Sequence, residues 1–587
     1  MITRILVANR GEIAARIIRT VHDLGLKAIA VYADADRDSP AVQLADEAYS
    51  LGGGTVGETY LNLGKILEIA RRSNADALHP GYGFLSEIAD VAHAVTDAGL
   101  VWIGPSANTI NQLGDKISAR RTALIAGVQP VPGTNDPVDS MATLRSFIDT
   151  HGLPIVAKRS DGGGGRGIEI MRTPTDVEEF GVRHDGSDMD AFFLEKFVEN
   201  GRHVETQCMA DAHGDFVVVT TRDCSVQRRN QKLIEEAPAP FLTETAERTV
   251  RDWSRKLFRY TEYQGLGTCE FLVKGDEVYF LEVNPRLQVE HTVSEEITGL
   301  DLVTQQIRIA DGKQLPQVPE PRGHSVELRI TSEDPGADLT PTAGTITTLN
   351  WPMGHGIRIE TGVREGDSVT PDFDSMIAKL IVTGPDRPTT IKRCLRALTE
   401  LTIEGVATPA PLLERILAHP DFAEDFAVGT KWLEEEFLPQ CELPAPFAES
   451  GVEIEEQETL HLPIEIDGRR HTLTLPAGLL RTGGGEDKPQ QPRRGSSKRN
   501  GATAGGDGAV GADGVVASPM QAIVVRVPVE PGQRVVEGDV LIVIEAMKME
   551  KYIHSTATGV VEEILVDVSQ NVPAGTPLLK IATEKEA

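Results

Sequence analysis

The chain has 587 residues, 40% hydrophobic and 25% charged, too long for one hydrophobic core and within the ordinary soluble range, so several domains are expected. With 58 Lys+Arg against 88 Asp+Glu the formal charge is -30, which disfavours unassisted binding to nucleic acid or anionic lipid; a polyanionic ligand then needs a locally basic site. The five cysteines, Cys208, Cys224, Cys269, Cys394 and Cys441, form no CxxC pair, and neither a signal peptide nor a bilayer-length apolar run is legible, which argues against a disulfide framework, a zinc site and a membrane span; a soluble, unprocessed cytoplasmic protein is expected.

The opening reads as a βα unit: Ile5-Leu6-Val7-Ala8 is a short apolar strand, Asn9-Arg10-Gly11 a turn, and Ile13, Ile17 and Ile18 recur at helical spacing. A strand over Lys27 to Tyr32, a helix over Leu61 to Ala70 and extended runs at Ala75 to Leu78 and Leu100 to Ile103 extend the alternation, predicting a parallel, doubly wound sheet over about the first hundred residues. From Gly114 to about Thr298 helices mix with β-like runs, Pro154 to Lys158, Phe216 to Thr221 and Glu277 to Asn284, an α+β pattern. Between about Gly323 and Leu438, strands near Ser325 to Ile330 and Met376 to Val382 flank helices and imply a further domain packed on the second.

After about Cys441 the composition shifts. Glu453 to Glu458 is acid-rich, and Leu462 to Ile466 and His471 to Leu475 alternate like a hairpin around Asp467-Gly468. The stretch from Thr482 to Gly514 is dominated by Gly, Ala, Ser and Pro and lacks aromatics, so it cannot bury enough surface to order itself and is expected to be a tether. About 30 such residues have a root-mean-square span on the order of 30 Å. Its basic cluster, Arg493, Arg494, Lys498 and Arg499, is read as solubilising.

Beyond the tether lies an internal repeat: GQRVVEGDVLIVIEA from Gly532 is echoed by SQNVPAGTPLLKIAT from Ser569, with Gln533 and Gln570, Val535 and Val572, Gly538 and Gly575 corresponding, which implies two similar β halves. Between them Glu545-Ala546-Met547-Lys548-Met549 places Lys548 at a strand-to-strand turn. EAMKM, with Ser518-Pro519-Met520 upstream, resembles the biotinyl domain of biotin carboxyl carrier proteins, and the resemblance implies biotin on Lys548. Lipoyl domains share the architecture, but their lysine usually lies between Asp and Ala. Ala522 departs from the carriers' common Gly.

Ser160 to Gly167, SDGGGGRG, contains GxGxxG formally, yet it lies between the strand Ile155 to Lys158 and another apparent strand, Ile168 to Ile170. A dinucleotide fingerprint opens into a helix, so a glycine hairpin closing over phosphates fits better, although glycine richness alone suits a plain hairpin equally. Lys116 and Lys158 bring the positive charge that a triphosphate needs in an acidic protein. These lysines, with NRGEIAARI from Asn9, HPGYGFLSE from His79, GDKISAR from Gly114, EKFVENGRHVE from Glu195 and RDCSVQRRNQKLIEEAPAP from Arg222, resemble the ATP-grasp enzymes, specifically biotin carboxylases, over residues 1 to 440.

The resemblance implies that Lys116, Lys158 and His203 approach ATP phosphates or ribose with Gly163, Gly164, Gly165 and Gly167, and that Glu195, Lys196, Val198 and Gln227 line the adenine site. Glu270 and Glu282 with Asn284 offer hard oxygen ligands for Mg²⁺ or Mn²⁺. From Asn284 to His291 charged or amide residues alternate with apolar ones, so that Arg286, Gln288 and Glu290 share one side if extended. In biotin carboxylases the matching arginine, glutamine and valine N–H hold bicarbonate and the matching glutamate is the general base, which assigns Arg286, Gln288, Val289 and Glu290 those roles, with Lys232 assisting. Arg329, in VELRITSEDP, matches the arginine proposed to stabilise the biotin enolate. Asp161, Asn230, Thr292 and Ser294 depart from the usual pattern, with consequences for ribose contact and loop dynamics.

The expected architecture is therefore multidomain α/β and α+β: a Rossmann-like N-terminal domain (1–113), an ATP-grasp domain (114–322) with a glycine-rich lid (about 130–203), a mixed α+β C-terminal carboxylase domain (323–440), a β-rich connector (441–481), a flexible linker (482–514) and a small all-β biotinyl domain (515–587). This order resembles the α subunit of bacterial acyl-CoA carboxylases, which use ATP and bicarbonate to carboxylate the biotin on their own lysine via carboxyphosphate. No carboxyltransferase is legible, so a separate β subunit is expected to discharge the carboxyl group, onto acetyl-CoA or propionyl-CoA, with biotin protein ligase as a transient partner and a homo-oligomer formed through the carboxylase domain. A methylcrotonyl-CoA or related carboxylase is one alternative; a carrier or scaffold with an inactive carboxylase domain is another, opposed by the intact charged set.

Overall fold

The computed structural model describes residues 1–134, 136–159, 168–184, 189–447, 459–466, 469–476, 514–519, 522–546, 549–568, 570–573 and 575–583. The chain forms two compact units, the first covering Met1–Phe447 and the second Ala448–Glu545 with Glu550–Ala587. Among the described residues no helix is long and apolar enough to cross a membrane.

The first unit opens with a five-stranded parallel sheet built from β1 (Arg4–Val7), β2 (Lys27–Tyr32), β3 (Glu47–Ser50), β4 (Ala77–His79) and β5 (Val101–Trp102), in the order β3-β2-β1-β4-β5. Both faces are covered, as the continuous apolar runs demand. Ile5 and Val7 pack with Ile13 and Ile17 of the helix Gly11–Asp23, while Leu6 and Ala8 face the other way against Ile66 and Ile69 of the helix Leu63–Arg72. The latter helix starts two residues later than its periodicity suggests because the Asn62 side chain caps it, accepting from Lys65 N–H. The doubly wound reading holds.

Next come the hairpin strands β6 (Ile155–Arg159) and β7 (Ile168–Met171), which pair antiparallel with β8 (Phe192–Lys196) on the other side of β6. The glycine run joins β6 to β7, so its flanks are strands as expected; Asp161, Gly163, Gly164, Gly165 and Gly167 lie outside the described residues.

The largest sheet holds β9 (Arg202–Ala210), β10 (Phe216–Arg228), β11 (Gln231–Ala237), β12 (Gly265–Lys274), β13 (Glu277–Asn284) and β14 (His324–Thr331), in the order β13-β12-β9-β10-β11-β14, and continues through Met376–Gly384 to Ile357–Thr361. The segment expected as a further domain thus extends the same sheet: Ile234 pairs Leu328, and Leu328 pairs Leu380. Leu328, Leu380, Ile391 and Trp432 share one core with the helices Arg387–Glu400 and Ala410–Ala418.

In the second unit Thr459–Ile466 pairs Arg469–Pro476, the hairpin read from the sequence, and the rest forms two four-stranded sheets. One runs Val515–Ala517, Pro577–Thr583, Gly559–Ile564, Arg534–Val535; the other runs Met549–His554, Val540–Ala546, Ala522–Arg526, Asn571–Val572. Exchanging the first four strands for the last four maps one sheet onto the other, which is the structural form of the internal repeat. The correspondence reaches single bonds: Gln533 N–H donates to the Glu530 carbonyl while Gln533 Oε1 accepts from Glu530 N–H, and Gln570 does the same with Asp567. Val535 and Val572 are both buried, and Gly538 and Gly575 both take positive φ, +95° and +77°, which side-chain-bearing residues rarely adopt. Lys548 falls between the neighbouring strands Val540–Ala546 and Met549–His554 but is outside the described residues, as are 477–513 of the expected tether.

Candidate active site

A row of charged residues crosses the large sheet. Glu282 on β13 is the register partner of Glu270 on β12, Glu270 of Glu205 on β9, and Glu205 of Arg222 on β10. Partners in register leave the sheet on the same face, so three carboxylates stand side by side, an arrangement that repels unless cations hold it. Arg222, fully buried, donates to Glu205 Oε1 at 2.5 Å, to Gln207 Oε1 at 2.7 Å and to Gln288 Oε1 at 2.8 Å. Lys232, reaching from β11, places Nζ 2.9 Å from Glu205, 3.4 Å from Glu270 and 2.5 Å from Glu290. His203 lies 2.9 Å from Glu270.

The segment after β13 is not extended. Pro285 has no N–H to continue the ladder, the chain bends, and a helix begins at His291 (His291–Thr298), with His291 N–H and Nδ1 both at the Gln288 carbonyl. The expected side-by-side display of Arg286, Gln288 and Glu290 is therefore replaced by convergence through a turn. Gln288 Nε2 and Asn284 Nδ2 each donate to Glu270 Oε1 at 2.7 Å, and Arg286 donates to Asn284 Oδ1 at 2.9 Å while facing Glu87 at 2.9 Å. The Val289 carbonyl accepts from Lys379 Nζ at 2.9 Å. Glu290 lies between two cations, with Arg329 at 3.0 Å opposite Lys232.

Burial by itself would push the Glu290 carboxyl up; Lys232, Arg329 and Arg222 outweigh it and hold the group well below the usual carboxylate range. Burial likewise opposes the Lys232 ammonium, but Cys224, Glu205, Glu270 and Glu290 keep it far above the ordinary lysine value. A buried, ionised acceptor flanked by fixed cations can take a proton from a bound ligand and can organise an anion beside it.

A second group lies toward the hairpin. Lys158 is 2.5 Å from Glu195, which also pairs Arg120 at 3.1 Å. Burial draws Lys116 down, partly offset by Glu282, and Lys158 adds to the lowering. Gln227 donates toward His203 Nδ1 at 3.4 Å and to the Cys224 carbonyl at 3.3 Å. Lys196 is exposed at the end of β8, and Val198 is half-buried in the following turn; neither belongs to the charged network.

Among the described residues, two sets of donor atoms lie within 4.8 Å of one another: His203, Glu205 and Glu270, and Glu205, Cys224 and Glu290. Lys232 is bonded to carboxylates of both, so these places already have a cation. Glu282 is different. Burial and the Glu270 charge hold its carboxyl up, with Lys116 opposing only in part. That outer end of the row, with Glu270 and the Asn284 amide, is an oxygen-donor set short of positive charge and suits a hard divalent cation.

Glu205, Gln207 and Arg222 escaped the sequence reading. Part of the signal was present: Glu205 and Gln207 alternate with Val204, Thr206 and Cys208 on β9, and Arg222 opens a motif already quoted. Thr292 and Ser294, which depart from the usual pattern, also have partners: Ser294 Oγ accepts from Arg222 at 3.0 Å, and the Thr292 hydroxyl donates to Glu327.

Residues 1–110 match the family described as "Biotin carboxylase, N-terminal domain", 115–318 "Carbamoyl-phosphate synthase L chain, ATP binding domain", 327–435 "Biotin carboxylase C-terminal domain" and 514–581 "Biotin-requiring enzyme". The biotin-dependent acyl-coenzyme A carboxylase alpha3 subunit of Mycobacterium leprae is 43% identical, with 99% of this chain and 98% of that protein covered. Biotin carboxylase of Halalkalibacterium halodurans is 44% identical over 72% of this chain and 95% of its own length. Among solved structures, the biotin carboxylase domain dimer of Hydrogenobacter thermophilus 2-oxoglutarate carboxylase, in complex with MgADP, ADP and bicarbonate, has a TM-score of 0.70 at 38% identity, covering 74% of this chain and 98% of that one.

Proposed function

The chain belongs to the family of biotin-dependent acyl-CoA carboxylase α subunits, and from that premise we propose that the network around Glu290 carboxylates the biotin borne on the chain's own Lys548. The protein is an ATP-dependent biotin carboxylase fused to its carrier domain, with biotin, ATP, a divalent cation and bicarbonate as its requirements. The observation that carries the residue assignments is the placement of Glu290 between Lys232 and Arg329.

Bicarbonate is a poor electrophile and becomes reactive when the γ-phosphoryl of ATP is transferred to it. Arg286, Gln288 and the Val289 N–H hold bicarbonate, and Glu290 removes its proton. Lys232 assists by offsetting the charge. When carboxyphosphate breaks its C–O bond, the departing phosphate takes that proton from Glu290, which is then free to accept the ureido proton of biotin, and Arg329 balances the negative charge that this leaves. Bound biotin supplies the nitrogen that takes up the carboxyl group. Lys116, Lys158 and His203, with Gly163, Gly164, Gly165 and Gly167, contact the ATP phosphates or ribose, and Glu195, Lys196, Val198 and Gln227 line the adenine site. Glu270, Glu282 and Asn284 hold Mg²⁺ or Mn²⁺, which neutralises phosphate charge when bound. The segment boundaries set out from the sequence, 1–113, 114–322, 323–440, 441–481, 482–514 and 515–587, are part of the same proposal.

Membership of the family implies a carboxyltransferase β subunit as partner. We assign acetyl-CoA or propionyl-CoA as acceptor, a homo-oligomer through the carboxylase portion, biotin protein ligase as the modifying enzyme and the cytoplasm as location, with no nucleic-acid or membrane binding. An acyl-CoA panel on the complex purified through its biotin tests the acceptor; a strong preference for methylcrotonyl-CoA would replace it. For the residue assignments, wild-type protein is expected to show bicarbonate-dependent ATP cleavage stimulated by free biotin, and folded, metal-supplied protein lacking it would sink the catalytic reading.

A further inference from the structure

We infer that Glu235 and Glu327 share a single proton at neutral pH and that this carboxyl–carboxylate pair, through Arg329, sets the charge at the Glu290 site; the second half rests on the carboxylase reading above. The residues are register partners on β11 and β14, so their side chains leave the sheet on one face, about 5 Å apart at Cβ. Both are 0% exposed. Arg329 Nε donates to Glu235 Oε1 at 2.6 Å, and the Thr292 hydroxyl donates to Glu327 Oε2. The remaining oxygens, Glu235 Oε2 and Glu327 Oε1, are buried without a hydrogen-bond partner among the described residues.

Two fully buried carboxylates at paired positions are costly when both are charged, and one proton held by the pair removes the second charge. The charged and titratable groups facing the pair are Arg329, Lys232, Glu290, Lys379, Cys224 and Tyr82. The lysines have other work: Lys379 donates to the Val289 carbonyl and lies 3.4 Å from Glu12, while Lys232 is surrounded by Glu205, Glu270 and Glu290. Burial raises both carboxyls; Arg329 lowers Glu235 and Lys379 lowers Glu327, but neither wins, and the groups stand at about 7 and about 8.

With one proton present, the pair carries a single negative charge against Arg329, whose Nη2 contacts Glu235 Oε1 and also donates to Glu290. When pH rises and that proton leaves to solvent, a second negative charge appears behind Arg329 and weakens its hold on the anionic form of biotin. Carboxylation should therefore fall on the alkaline side. Glu327→Gln replaces the protonated partner by an amide that donates to Glu235 and cannot lose its proton, so the pair keeps one charge at every working pH.

The test uses the unmodified full chain, Glu327→Gln and Glu235→Gln. In infrared pH titration, the wild type should show the carbonyl stretch of one protonated carboxyl at about pH 7.5 that disappears by about pH 9, and either variant should lack it there. In the free-biotin assay, the alkaline limb of kcat should move up by about 1 unit or more in the variants, whereas a purely structural role lowers activity without moving it. An unaltered band in both variants overturns the shared proton, and a lost band with an unmoved alkaline limb overturns its action through Arg329. Should one variant not fold, the other decides. Wild-type protein that cleaves no ATP with biotin would count against the carboxylase reading instead, since the infrared result does not depend on turnover.

Discussion

Glu290 is a buried carboxylate made affordable by two cations, and its chemistry follows from that environment. Substituting Glu290→Gln keeps the shape and hydrogen-bonding capacity but removes the proton acceptor, so biotin carboxylation should drop by about 10²–10⁴-fold with biotin attachment to Lys548 intact, as read by turnover and avidin binding. Arg222 makes a contrasting case. It holds the centre of the carboxylate row and touches no proposed reacting atom, so Arg222→Met, by leaving Glu205 buried opposite no guanidinium, should cost about 3–5 kcal/mol in urea denaturation. At this scale the sequence was informative where a motif carried the residue, as for Lys232, Glu270, Arg286 and Glu290. It did not separate buried from solvated charge within strands: Glu205, Glu235 and Glu327 are charged residues in β runs, as on the wet face of any sheet. Only the pairing across strands distinguishes the two.

Elements set these side chains in place through close approaches that tolerate little change. Gly133 bridges Glu195, and a Cβ there would lie 2.4 Å from the Leu194 carbonyl oxygen and 2.9 Å from Glu195 Cγ. Gly133→Ala must displace the strand that carries Glu195 against Lys158, and a loss of up to about 100-fold in kcat/KM for ATP is expected, with kcat less affected. Leu380, fully buried between Leu328 and Ile359 in the large sheet, packs into the core that holds Ile391 and Trp432. Leu380→Ala should cost about 2–5 kcal/mol of stability without changing the assay's pH profile, as followed by denaturation. The strands β2 and β13 were legible to the residue because apolar alternation and turn signals agree. The segment from Asn284 to His291 was not: alternation suggested a strand, but Pro285 ends the ladder and the chain turns into a helix. The continuity of the sheet through β11 and β14 was hidden as well, because its partners lie about ninety residues apart and pairing of that range leaves no local mark.

On the scale of the whole chain, two units divide the work: one holds the charged site, the other the repeated β halves between which Lys548 falls. The repeat was readable because each half reproduces the same turn bonds and the same positive-φ glycine. The tether's function is inferred from composition alone, since 477–513 lie outside the described residues. Lys548→Arg should abolish biotin labelling and acyl-CoA carboxylation in the complex while leaving carboxylation of free biotin unchanged. Loss of both in folded protein would contradict the division of labour. The most direct measurement is transfer of radiolabelled bicarbonate to the biotinylated chain in the absence of a β subunit. ATP-dependent, acid-labile label is expected, absent in both Lys548→Arg and Glu290→Gln; label formed without ATP, or retained in either variant, would overturn the assignment of Glu290 and Lys548 to one relay.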